Sequence, residues 1–240
     1  MKKLFVLLIS FAAFSTSFAQ KTTPKKTIDL SSQSGDHLMM QFSSDSWMGA
    51  PDSISSHKKG LSRGLSVYLM MNKPFKNNPK FSAAFGIGIG TSHLFFENLS
   101  VDITGTTSTL IFGSLDTLSR FKKYKVSTAY AEIPVEIRYA THPENPNKSF
   151  KAAIGVKVGT LLNAHTKGKT LQDATGKTIN SYTEKTSSKS YFNSTKIAAT
   201  ARVGYGAVSL FGSYNLSAVF KDNVASKMNL LQVGFTLSGL

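Results

Sequence analysis

The hydrophobic positions of this chain recur at every second residue, in eight separate stretches. The clearest is 81–96, FSAAFGIGIGTSHLFF, where Phe81, Ala83, Phe85, Ile87, Ile89, Thr91, His93 and Phe95 alternate with Ser82, Ala84, Gly86, Gly88, Gly90 and Ser92, before Leu94 and Phe96. A period of two predicts a β-strand with different surroundings on its two sides, because successive side chains point to opposite faces. One side here is apolar with aromatics near its ends. The other is small and carries three glycines, which suits a tightly curved wall around a narrow interior.

The same alternation predicts strands at His37–Asp45, Leu61–Met71, Val126–Tyr139, Phe150–Ala164, Tyr191–Val203, Ala207–Phe220 and Met228–Leu240. In each, an apolar stripe opposes Gly, Ser, Thr or charged residues; Arg63 interrupts the stripe of the second, as is tolerable near a bilayer boundary. The connections also alternate. Those after strands one, three, five and seven are medium to long, including Glu97–Lys123, which predicts an extended loop with room for a hairpin, and the polar loop His165–Ser190. Those after strands two, four and six are short. This asymmetry predicts an all-β fold over 36–240, an eight-stranded antiparallel up-and-down transmembrane β-barrel with both termini on the periplasmic side. Apolar residues then face lipid, with Phe81, Tyr139, Phe150 and Tyr205 at the periplasmic rim and Phe95, Tyr191 and Phe220 at the outer rim.

The start of the chain, MKKLFVLLISFAAFSTSFAQ, has a basic beginning, a short apolar core and a small-residue exit, which predicts a signal peptide over 1–19. Residues 20–35 are polar and basic and predict a flexible periplasmic leader. Export with no cysteine leaves stability to a core or to a closed hydrogen-bond ladder in a membrane. The formal charge of +15 falls by two once Lys2 and Lys3 leave with the signal. In an exported chain this favours an anionic membrane surface over nucleic acid as partner.

An eight-stranded barrel is just wide enough to be filled by its own side chains. Alternation places Glu132, Glu136, Arg138, Lys151, Lys157, Lys196 and Arg202 inside it, where charges must be paired. Pairing Arg138 opposite Lys151 sets Glu132 opposite Lys157, giving a polar plug without a conducting pore. The basic residues Lys58, Lys59, Arg63, Arg120, Lys122 and Lys123 fall toward the outer end, within reach of lipopolysaccharide phosphates, as do lysines 167, 169, 177, 185 and 189. His37, His57, His93, His142 and His165 show no metal-ligand spacing, and nothing points to a cofactor. Ser92 and His93, as sequence neighbours, point to opposite faces, so they do not make a catalytic dyad.

The segment AYAEIPVEIRYA at 129–140 closely resembles the Tyr-x-Glu-Ile-Pro strand of the PorT-like outer-membrane β-barrel proteins of Bacteroidota, and Gly155–Gly159 and Ser213–Leu216 resemble further strands of that family. The resemblance implies an outer-membrane barrel and no one activity. The expectation is therefore a non-enzymatic integral outer-membrane protein with a structural, binding or assembly-partner role, in contact with outer-membrane lipids, lipopolysaccharide and other envelope proteins. Two alternatives stay open: a barrel enzyme acting on lipid A as an acyltransferase or deacylase, and a secreted lipocalin-like binder with its apolar face turned inward.

Overall fold

A computed structural model describes residues 37–115 and 119–238; the signal peptide and the leader predicted at 1–19 and 20–35 lie outside the described residues. Eight strands form the barrel: β1 (Leu38–Met48), β2 (Arg63–Phe75), β3 (Asn78–Phe96), β6 (Arg120–Ala140), β7 (Phe150–Gln172), β9 (Thr195–Tyr205), β10 (Val208–Asn215) and β11 (Asn229–Ser238). Each pairs antiparallel with its neighbours, β1 joins β11, and the pairing of β6 with β7 closes the ring. Closure leaves the wall without a free edge, the condition for a sheet to cross hydrocarbon.

The faces fall as the alternation requires. Ile87 is 63% exposed and Ile133 53%, whereas Glu132 is 2% and Lys157 1% exposed. The apolar stripe therefore coats the outside, which overturns the lipocalin-like alternative. At the short-turn rim the rings of Phe81 and Tyr139 stand 5.1 Å apart, and Phe150 pairs directly with Tyr205.

The structure departs from the sequence reading at the long-loop end. The stretch expected as a turn after Asp45 instead continues β1 to Met48 and then forms a single helical turn, α1 (Asp52–Ser55). In the Glu97–Lys123 segment, by contrast, the hairpin for which the sequence left room is present, β4 (Leu99–Asp102) with β5 (Ile111–Ser114). The polar segment after Ala164 is not a loop: β7 runs on to Gln172 and turns back as β8 (Thr178–Ser187). The turn is made by Asp173, whose Oδ1 accepts bonds from the Thr175 and Lys177 amides, and by Gly176 at φ 90°. Beside the upper half of β7, β8 occupies the place that β9 leaves at Thr195.

Tyr191 and Phe220, expected in the outward rim, are buried instead. They join Trp47, Ile54, Phe96, Val101, Ile103, Phe192 and Leu230 in an apolar cap over the long-loop mouth. Trp47 meets Phe96 at 5.5 Å and Phe220 edge-on at 5.3 Å. Buried tyrosines tie the loops down: the Tyr191 hydroxyl donates to the Gly105 carbonyl at 2.6 Å and Tyr130 to that of Asn193 at 3.0 Å. β9 begins only at Thr195 and β10 stops at Asn215, because the apolar residues beyond them gain more by folding inward over the mouth than by facing water.

Inside the wall, Gly88 pairs with Tyr68, and a Cβ placed on it would lie 2.1 Å from the Val67 carbonyl oxygen. Backbone cannot yield as a side-chain tip can. Gly88→Val is expected to destabilise the barrel by about 1–3 kcal/mol. The measurement is the fraction that refolds into vesicles, read as the compact band in unheated gel electrophoresis; a wild-type fraction would count against this packing.

Candidate functional site

The lumen is organised by a single cross-strand row. Tyr68, Gly88, Glu132, Gly159 and Lys196 sit directly opposite one another on β2, β3, β6, β7 and β9. The two glycines leave the space through which long side chains from either side reach the carboxylate. Lys196 Nζ donates to Glu132 Oε1 at 2.8 Å and the Tyr68 hydroxyl to Oε2 at 2.5 Å. Lys157 donates to Gln41 Oε1 at 2.7 Å, lies over the Tyr68 ring at 5.1 Å, and Gln41 in turn donates to Thr236 Oγ1 at 3.1 Å. Nearer the short turns, Glu136 Oε2 accepts from Arg138 Nε at 2.9 Å and from Arg202 Nη2 at 3.1 Å.

Six of the seven charged residues predicted inside are buried there. Lys151 is the exception: it pairs with Ala140 and Gly204 at the short-turn rim and is only half-buried. The expected register is also displaced. Arg138 stands opposite Ala153, Glu132 opposite Gly159, and Lys157 opposite Pro134, because pairing runs on to Ala140 and Lys151 and the Thr141 amide bonds the Phe150 carbonyl at 3.1 Å. The displacement is two residues, an even number, so each side chain keeps its face. Glu132 nevertheless finds Lys196, on a strand not considered for it.

The second candidate is the outer surface of the wall where β6, β7 and β8 rise past the apolar band. Lys125, Lys167 and Lys185 stand directly opposite one another there. The adjoining row runs Arg63, His93, Ser127, His165 and Ser187, and the row above pairs Lys123 with Lys169. Burial, and then the charges of Lys167 and Lys185, hold the Lys125 ammonium below its usual pKa. Burial, and then the lysines at 185 and 125, His93 and Lys167, push His165 down to about 4. This face carries a concentrated positive potential.

The six basic residues singled out for lipid contact are dispersed by comparison. Lys58 donates to Ser46 Oγ at 3.0 Å and the Trp47 carbonyl, Lys59 pairs with Glu97 at 2.5 Å, and Arg120 reaches the Ala174 carbonyl at 3.1 Å. Lys122 is exposed. Only Arg63, 5.7 Å over the Phe95 ring, and Lys123 adjoin the lysine rows. The predicted lack of a Ser92–His93 dyad conceals a different pair: His93 Nδ1 lies 2.9 Å from Ser127 Oγ across the strand interface. Among the described residues, no group of three or more His, Cys, Asp or Glu could hold a metal ion.

The family model described as the outer membrane protein beta-barrel domain matches residues 18–221. The chain belongs to that family. As an outer-membrane β-barrel protein it is integral to the outer membrane, with the closed wall as its membrane-spanning part. Among solved structures, that of Ail, the attachment invasion locus protein of Yersinia pestis, in complex with the heparin analogue sucrose octasulfate, matches at 12% identity over 83% of this chain and 95% of Ail, with a TM-score of 0.32. No curated protein matches.

Proposed function

We propose that this outer-membrane β-barrel is a non-enzymatic structural or binding and assembly partner with a plugged lumen, set with its long-loop end outside and both termini periplasmic. The reading includes a cleaved signal peptide over 1–19, a periplasmic leader over 20–35 and kinship with the PorT-like barrels of Bacteroidota, on the Glu-Ile-Pro strand. Its partners are outer-membrane lipids and lipopolysaccharide, together with other envelope proteins. The observation that carries the proposal is the lumen itself: Glu132, Lys157, Lys196 and Tyr68 bridge the interior, and the apolar cap lies over one mouth. A lumen filled in this way by its own side chains does not pass solutes of porin size, which supports placing the chemistry of the protein on its outer wall and loops.

A lipid A enzyme is the second reading, and the His93–Ser127 contact is what favours it. Ser127 is 1% exposed, however, in the row between His93 and His165. A nucleophile must meet its substrate within hydrogen-bond reach, which supports the non-enzymatic reading. Planar-bilayer recording is the test. The purified barrel is expected to give no stable conductance step of porin size, and a sustained open level would overturn the plugged lumen.

A further inference from the structure

From the geometry of the upper wall we infer that Lys125, Lys167 and Lys185 form a binding site for the phosphates of a lipid in the outer leaflet. The inference rests on the proposed orientation, with the long-loop end outside. Its first support is register. The three lysines lie directly across from one another on adjacent strands, on the same outward face, where opposed side chains stand about 5 Å apart and like charges are destabilising. Among the described residues, none of the three has a carboxylate within ion-pair distance; the nearby Glu184 lies on the opposite face of β8 and lines a cavity with Tyr124 and Thr166. A row of cations facing each other with no counter-charge among the described residues points to a counter-charge supplied from outside.

Height supplies the second support. On β6 the outward apolar residues run from Tyr139 through Ile137, Val135 and Ile133 to Ala131 and Ala129. At about 3.4 Å per residue and a strand tilt of about 40°, that run spans about 26 Å along the membrane normal, the height of the apolar band of such barrels. Lys125 stands four residues further, about 10 Å above the band on the same geometry. That is the outer edge of the headgroup layer, into which a flexible lysine stem reaches back. Below the lysines, past the row of His93, Ser127 and His165, β7 turns apolar on its outer face with Leu162, Val158 and Val156, interrupted by Thr160, so a molecule bearing phosphate above and acyl chains below matches both parts. Half-buried Phe95, with Lys125 at 5.9 Å and the neighbouring Arg63 at 5.7 Å from its ring, holds one of the three lysines against the surface.

The test uses the full barrel refolded in zwitterionic detergent, with native mass spectrometry reading the retained lipid. Probes are lipid A bearing two phosphates, the same lipid A after dephosphorylation, and inorganic phosphate as competitor. The variants are Lys125→Gln with Lys167→Gln and Lys185→Gln, and as control the exposed Lys221→Gln with Lys227→Gln. The triple variant is expected to lose at least tenfold in affinity for phosphorylated lipid A, and the control nothing. Dephosphorylated lipid A should bind the wild type at least tenfold more weakly, and millimolar inorganic phosphate should not displace the lipid. Equal retention by the triple variant, equal binding of the dephosphorylated lipid, or displacement by phosphate alone would each overturn the site. If the triple variant does not refold, the double variant at the exposed Lys167 and Lys185 carries the same comparison. The orientation is read separately, by labelling Thr175→Cys in whole cells with a membrane-impermeant maleimide. Absence of label would overturn the outer-leaflet assignment and the proposed orientation, whereas lost lipid selectivity with label present would overturn the site alone.

Discussion

Glu132→Leu is expected to destabilise the folded barrel by about 3–5 kcal/mol, the cost of breaking a buried ion pair by removing one partner. The carboxylate accepts from Lys196 and Tyr68, and both lysines of the cluster, Lys157 and Lys196, are almost fully enclosed. Removing the carboxylate leaves Lys196 charged with no carboxylate partner and Tyr68 without its acceptor. Glu132→Gln keeps an acceptor for Tyr68 and should lose less. Glu132→Leu combined with Lys196→Met should recover most of the loss, since replacing both members of such a pair by apolar groups of similar volume is close to neutral. Urea titration of the protein in lipid vesicles measures all three. A loss below about 1 kcal/mol for the single leucine variant, no more than an ordinary substitution costs, would mean that the pair does not hold the lumen together.

The second large effect is expected at Trp47→Ala, where truncating a buried aromatic costs about 3–5 kcal/mol. Here the loss should be local. Trp47 contacts Phe96 and Phe220 in the cap, while the wall below is held by its own closed ladder. The variant should therefore keep the compact mobility of a folded barrel in an unheated gel. Its long loops should open more readily, and limited proteolysis should cut them faster by about two to four orders of magnitude, following the opening equilibrium. Wild-type cleavage rates would show that the aromatic cluster does not pin the loops.

The wall was legible because hydrocarbon imposes a strict condition on it: Ile87, Ile133 and Val156 must all lie on one side of their strands, and the sequence alternates accordingly. Its pairing was less legible. How far β6 and β7 continue into the turn at 141–149 depends on local bonds such as Thr141 to Phe150, which leave no hydrophobic signature. Face assignments survived since the displacement was even, but the partners of Glu132 and Lys157 did not. The β7–β8 extension was illegible for a related reason. Its residues Thr178–Ser187 are exposed along nearly their whole length, so there is no inside to alternate with, and only the Thr and Ile content and the Asp173–Gly176 turn favour strand. The cap had left a trace at the end of β3. After Gly86, Gly88 and Gly90, the inward face changes to Leu94 and Phe96, a switch from small to large that marks where the narrow polar interior gives way to an apolar ceiling.

That ceiling also bears on the order in which the molecule is made. Its residues come from the ends of β1 and β3, the β4–β5 hairpin, the segment before β9 and the segment between β10 and β11. They are remote in sequence, and contacts of such separation form late because the intervening chain must first be arranged. Only the joining of β1 to β11 brings the first of them beside the last. The aromatic roof can thus be completed only once the ring has shut, so it acts as a latch on finished insertion, and Trp47, the sole indole in the chain, sits in the latch.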